Sequence, residues 1–201
     1  MTEDRYLTVA GSGSAQLTVS GSQFIGFVDP VTSEQAAHSV IANRREQFSD
    51  ATHVVPAYRI RSDPFREYSS DDSEPSGSAG APMLTVLKGE ELENIVAVVV
   101  RYYGGTNLGI GGLVRSYQSA TKRAIEAAGI IEDVPHSELL LTLQYDDSGR
   151  VRSILESTGV TYAGTYEEVV SFSVRVPTSE RNELIDRLRT ATSDRIEISE
   201  P

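Results

Sequence analysis

Residues 94–128 read NIVAVVV, RYYGGTNLGIGGLVR, SYQSATKRAIEAA, and the fold turns on them. The first block, apolar and β-branched from Ile95 to Val100, predicts a buried strand. After the glycines the period changes: Leu113, Tyr117, Ala120, Ala124 and Ala127 recur on one helical face, with Lys122, Arg123 and Glu126 off it. Between strand and helix lie Gly104, Gly105, Gly109, Gly111 and Gly112, bracketed by Arg101 and Arg115. A helix opening from such a loop offers an anion its unpartnered N–H groups and the positive end of its dipole. The two guanidiniums are forks suited to a phosphate or carboxylate. The established phosphate fingerprints do not fit, because Ile110 and Gly111 stand where a P-loop needs Lys and Ser/Thr. From Gly109 the run G-I-G-G-L-V also lacks the last glycine of a dinucleotide fold. The glycines either cradle an anion or only let the strand turn closely into a packed helix.

A second dense segment, Tyr68 to Leu84, reads YSSDDSEPSGSAGAPML. Asp71, Asp72 and Glu74 make an acidic loop, and Pro75 with Ser76 predict the start of a short helix reaching Leu87, its regularity limited by Pro82. Carboxylates this close either bind Mg²⁺, share a proton, or form a solvated turn. Their charge is opposite to that of Arg101 and Arg115, which predicts that the two segments face each other across one site.

Together the two segments resemble the IMPACT/YigZ family. The matching stretches are SDDSEPSGSAGAPML (Ser70 to Leu84) and VVVRYYGGTNLGIGGLVRSY (Val98 to Tyr117), supported by SQFIGFVDPVTSEQA (Ser22 to Ala36) and DATHVVPAYRI (Asp50 to Ile60). The resemblance implies an α+β protein of two domains: an N-terminal one, residues 1–134, like the second domain of ribosomal protein S5, and a ferredoxin-like one over residues 136–201. It also implies a role in translational control, since eukaryotic members bind an activator of the amino-acid-starvation kinase and so restrain that kinase. Three positions depart from the family pattern: Asn107 replaces a usual Lys, Ala81 a basic residue or proline, and Ser73 a glycine. Loss of the Lys weakens a phosphate-binding reading of the loop.

Composition narrows the remaining classes. A chain of 201 residues, 39% hydrophobic, can build one large or two small cores. It has no Cys, which excludes disulfides, thiolate catalysis and Cys-ligated zinc, and only His38, His53 and His136, well scattered. No apolar h-region follows Met1 and no apolar run reaches membrane-spanning length, so a cytoplasmic protein without membrane contact is expected. The net charge of −11 opposes nucleic-acid binding, leaving RNA as a weak partner at most. Lysine occurs only at Lys88 and Lys122, and this acid-rich, Lys-poor balance resembles adaptation to a high-salt cytoplasm.

Before the acidic loop, Tyr6 to Ala10, Ala15 to Val19 and Phe24 to Val28 predict strands, the first two as a hairpin. Thr32 and Gln35 stand at capping-box spacing ahead of a helix with Ala36, Ala37, Val40 and Ile41 inward. His53 to Arg59 predicts a strand and Arg61 to Ser73 a polar loop; His53 is either a general base or a structural histidine beside Asp50 and Thr52. Beyond Pro135 the order is βαββαβ, with Leu139, Leu141, Leu143 and Tyr145 on one strand face and Val170, Phe172, Val174 and Val176 on another. This part carries 12 Asp and Glu against seven Arg, which favours a protein partner over RNA.

The expected function is a non-enzymatic binding or regulatory factor linked to translation, with no cofactor or metal implied. Its ligand-facing residues are Asp71, Asp72, Glu74, Ser76, Arg101, Gly104, Gly105, Gly109, Gly111, Gly112 and Arg115. The rival is a phosphate- or nucleotide-binding enzyme using the glycine loop, since the S5 second-domain fold also occurs in small-molecule kinases.

Overall fold

The computed structural model describes residues 5–167 and 169–200, and the chain divides into two compact units, Tyr6–Asp133 and a second one carrying Val134–Pro201. In the first, strands β2 (Gly13–Val19), β3 (Ser22–Pro30), β4 (His53–Ile60), β5 (Arg66–Ser69) and β6 (Ile95–Tyr102) form an antiparallel sheet of order β2-β3-β6-β4-β5. The β-branched run is therefore the central strand, and the helices cover both of its faces. Val96, Val98 and Val100 pack with Ala37 and Ile41 of α1 (Glu34–Gln47). Ile95, Ala97 and Val99 face α2 (Gly80–Gly89) and α3 (Gly109–Ala128), against Met83, Leu87, Leu113, Tyr117, Ala120 and Ala124. Burial on both faces explains the absence of polar alternation in NIVAVVV. Each side chain of this size contributes about 1.5–3 kcal/mol on full burial. Helix α3 lies so close to β3 that a Cβ on Gly26 would sit 2.4 Å from the Ala120 carbonyl oxygen. Glycine there sets the helix–sheet distance.

Several local expectations change. Strand β1 (Tyr6–Val9) pairs not with β2 but with β7 (Ile130–Asp133), in register Tyr6↔Asp133, and the hairpin is β2–β3 instead. Helix α1 is capped by Ser33, whose side chain accepts from the Ala36 N–H, one residue later than the Thr32 spacing indicated. The polar loop after Ile60 contains β5, an exposed edge strand whose Tyr68 stacks on Tyr58. Helix α2 begins at Gly80 rather than at Pro75. Pro82 falls in its first turn, where its missing N–H costs no helical bond.

The second unit runs β8 (His136–Leu143), α4 (Tyr145–Thr158), β9 (Thr161–Tyr166), β10 (Val170–Pro177), α5 (Arg181–Thr192) and β11 (Glu197–Ser199). Its sheet order β11-β8-β10-β9 is antiparallel throughout, the ferredoxin-like arrangement. Leu139, Leu141, Leu143, Phe172 and Val174 form the core with Val151, Leu155, Leu184 and Leu188. Tyr145 leaves the strand face, opening α4 with its ring 52% exposed.

Candidate functional site

The carboxylates of the acidic loop are tied into the first unit one by one. The Asp71 carboxylate accepts the N–H groups of Gly77 (2.8 Å), Ala79 (3.1 Å) and Gly80 (2.9 Å), and so caps α2 from well upstream. Burial pushes its pKa up, but the three amide bonds outweigh burial and hold it below the usual aspartate value. Asp72 accepts the Val54 N–H at 2.7 Å and Arg45 at 3.4 Å, fastening the loop to β4 and α1. Its carbonyl accepts from His53 Nδ1 at 2.7 Å. That contact places the ring proton on Nδ1, and Nε2 lies 3.8 Å from Glu74 Oε1. His53 is thus held by Asp72, not by Asp50 or Thr52.

Glu74 is the inner carboxylate. Its Oε1 accepts from Arg101 Nη1 at 2.6 Å and from the Tyr117 hydroxyl at 2.7 Å. Both charged side chains are nearly inaccessible, 6% exposed for Arg101 and 3% for Glu74. Burial, followed by the bond to Glu74, pushes the Tyr117 phenol far above its ordinary pKa, so it stays a donor. The Arg101 guanidinium lies 5.4 Å from the Phe24 ring centroid and 5.5 Å from that of Tyr103. Its Nη2 reaches Ser22 Oγ at 3.4 Å, and the same hydroxyl accepts the Gly104 N–H at 3.1 Å. A continuous hydrogen-bonded path therefore links the acidic loop, through Glu74, Arg101 and Ser22, to the first glycine of the second loop. Among the described residues, Arg101 Nε and Ser78 Oγ find no hydrogen-bond partner although they are buried.

Gly104 can only be glycine, because a Cβ there would lie 1.9 Å from the Gly21 carbonyl carbon. Gly105 and Gly109, on the rest of the loop, both have positive φ, 84° and 68°. Helix α3 starts without a side-chain cap and without an acidic residue in its first turn. Gly111 is exposed, Gly112 is half-buried, and Arg115 points outward near Gly111 with no ion pair among the described residues. Ser76 faces solvent. The two arginines that bracket the loop therefore differ in kind: Arg101 is inside and neutralised by Glu74, while Arg115 is outside and meets none of the acidic loop's carboxylates. Sequence reasoning did not find Ser22 or Tyr117 as site residues. A tyrosine on an otherwise apolar helix face is a usable signal, since a buried hydroxyl needs an acceptor.

The class this defines is a two-domain α+β protein that joins an S5 second-domain-like unit to a ferredoxin-like unit. Residues 20–125 match the family described as Impact N-terminal domain, and residues 141–195 match Domain of unknown function (DUF1949). The chain belongs to the IMPACT family. It is 33% identical over 196 residues to the IMPACT family member YvyE of Bacillus subtilis (strain 168), covering 97% of this chain and 90% of that protein. Identity to the IMPACT family member YigZ of Escherichia coli (strain K12) is 31% over 173 residues, 85% of each. A solved structure described as the crystal structure of an hypothetical protein superposes over 100% of this chain and 98% of its own, with 27% identity and a TM-score of 0.73.

Proposed function

We propose that the protein is a cytoplasmic, non-enzymatic binding factor linked to translational control, acting through contacts with a protein of the translation machinery or its regulators. Support comes from membership of the IMPACT family, for which the resemblance described above implies a role in translational control. The observation that carries the reading is the self-satisfaction of the candidate site: Glu74 is occupied by Arg101 and Tyr117, while Asp71 and Asp72 hold backbone amides. Groups so committed fix the shape of the two loops. Partner contact then falls to what faces outward, which is Gly105, Gly109, Gly111, Arg115 and the exposed Tyr103 and Ile110.

A pull-down from native lysate at physiological salt tests the reading, with captured proteins identified by mass spectrometry. Enrichment of ribosomal proteins or translation factors over a bead control is expected; their absence removes the proposal. The competing reading, a phosphoryl-handling enzyme, draws on the uncapped start of α3. ATP turnover, or a nucleotide bound at Gly109 to Gly112, would favour it.

A further inference from the structure

Between Glu93 and Glu126 the chain contains no acidic residue, yet it carries Arg101, Arg115, Lys122 and Arg123. In a protein of net charge −11 this is a local reversal of sign. Arg101 is used internally, whereas Arg115, Lys122 and Arg123 are exposed on α3 and form no ion pair among the described residues. Arg115 and Lys122 are two helical turns apart on the face opposite Leu113, Tyr117 and Ala124, about 10 Å along the axis. At the N-terminal end of α3 Ile110, which the helical period puts on the side of Leu113 and Tyr117, is 62% exposed. At the other end Lys122 borders a groove of about 440 Å³ lined by Glu90, Ile125, Glu126, Gly129 and Ile130, with Ile130 45% exposed.

We propose that this face of α3 docks an extended acidic segment of a partner protein. Its carboxylates lie against Arg115, Lys122 and Arg123, and an apolar side chain seats over Ile125 and Ile130. The proposal rests on the binding-factor reading above and names the chemistry of the partner. A nucleic acid fits less well: the groove offers the aliphatic side chains of Ile125 and Ile130 and, among its lining residues, no aromatic ring on which a base could stack. Three exposed cations also release too few counterions to hold a polyanion against an acidic protein.

The test is fluorescence anisotropy on the full chain at ~0.15 M KCl, with two probes: a short labelled peptide of Glu and Leu, and a labelled oligouridylate of equal length. The peptide should bind at least about tenfold more tightly than the oligonucleotide. Arg115→Glu with Lys122→Glu should weaken the peptide roughly ten- to a hundredfold, because exposed charges act through attraction that reversal turns to repulsion. Arg150→Glu with Arg189→Glu, which changes the net charge equally on exposed residues elsewhere, should alter it less than about twofold. Ile130→Ser should weaken the peptide while leaving its salt dependence in place. Equal losses in the two charge variants, tighter binding of the oligonucleotide, or no peptide binding up to about 1 mM would each overturn the proposal. So would self-association abolished by Arg115→Glu with Lys122→Glu, since the occupant would then be a second copy of the chain. The lysate pull-down separates the two levels. If the α3 variant still captures the same translation proteins, the binding-factor reading stands without this face; a wild-type chain that captures none removes the reading itself.

Discussion

Glu74, Arg101 and Tyr117 offer a stability test whose result depends on coupling rather than on any single contact. Arg101→Met would leave Glu74 buried with only the Tyr117 hydroxyl at 2.7 Å and the His53 ring at 3.8 Å. Glu74→Gln would leave the 6% exposed Arg101 guanidinium without a counter-charge. Breaking a buried pair from one side costs about 3–5 kcal/mol, mostly from the uncompensated charge that remains. In a unit of this size that lowers Tm by roughly 10–20 °C. Glu74→Gln combined with Arg101→Met removes both charges, so its cost should be about 2–4 kcal/mol, well below the sum of the single changes. Tyr117→Phe removes one bond to a charged acceptor and should cost about 1.5–3 kcal/mol. Urea unfolding followed by circular dichroism gives the stabilities, and hydrogen exchange at the Val96–Val100 amides reads this unit by itself. A double variant as destabilised as the sum of its parts would refute the coupling. Either single variant costing less than about 1 kcal/mol would refute the burial argument.

Other outcomes follow from the same geometry. Asp71→Asn should destabilise the protein by about 1–2 kcal/mol through loss of the α2 cap. Because the folded pKa of Asp71 lies below its unfolded value, its contribution is present at neutral pH and lost as pH falls below about 4, so the variant should be less acid-sensitive than wild type in a pH series of melts. Gly104→Ala forces a methyl group into the Gly21 backbone and should cost roughly 1–3 kcal/mol while shifting the Ser22 and Gly104 amide resonances. Residues 136–201 expressed alone should melt cooperatively in high salt, since their core is complete in itself; a non-cooperative melt counts against this. Added KCl should raise Tm, because the screening length shrinks from about 10 Å at 0.1 M to about 3 Å at 1 M and relieves repulsion in a chain of net charge −11; a Tm that falls with KCl sinks the high-salt reading.

What could be read from the sequence followed short-range periodicity. The apolar run of β6, the inward stripe of α3 and the alternation in β10 are each complete within a few residues, so each element was predicted in kind and nearly in extent. The misses are long-range or lack a period. Strand β1 closes with β7 across 127 positions between Tyr6 and Asp133, and no local turn chemistry marks that pairing. Strand β5 is an edge strand with Arg66, Glu67 and Tyr68 all exposed, so it lacks the alternation that burial of one face imposes. The cap of α2 comes from Asp71, outside the helix and its usual capping position.

The contrast between Arg101 and Arg115 was within reach of the sequence but needed both periods at once. On β6, Arg101 shares the side of Ile95, Ala97 and Val99, which points it toward α2 and α3 and demands a buried partner. On α3, Arg115 lies away from Leu113, Tyr117 and Ala124, which sends it to solvent. Glycines, carboxylates and guanidiniums close in sequence have the composition of a ligand site, but composition does not say which charges are already paired. Burial does. It assigns Glu74 and Arg101 to holding two loops in place, and it leaves Arg115, with Lys122 and Arg123, as cations of α3 that form no ion pair among the described residues and can meet a partner.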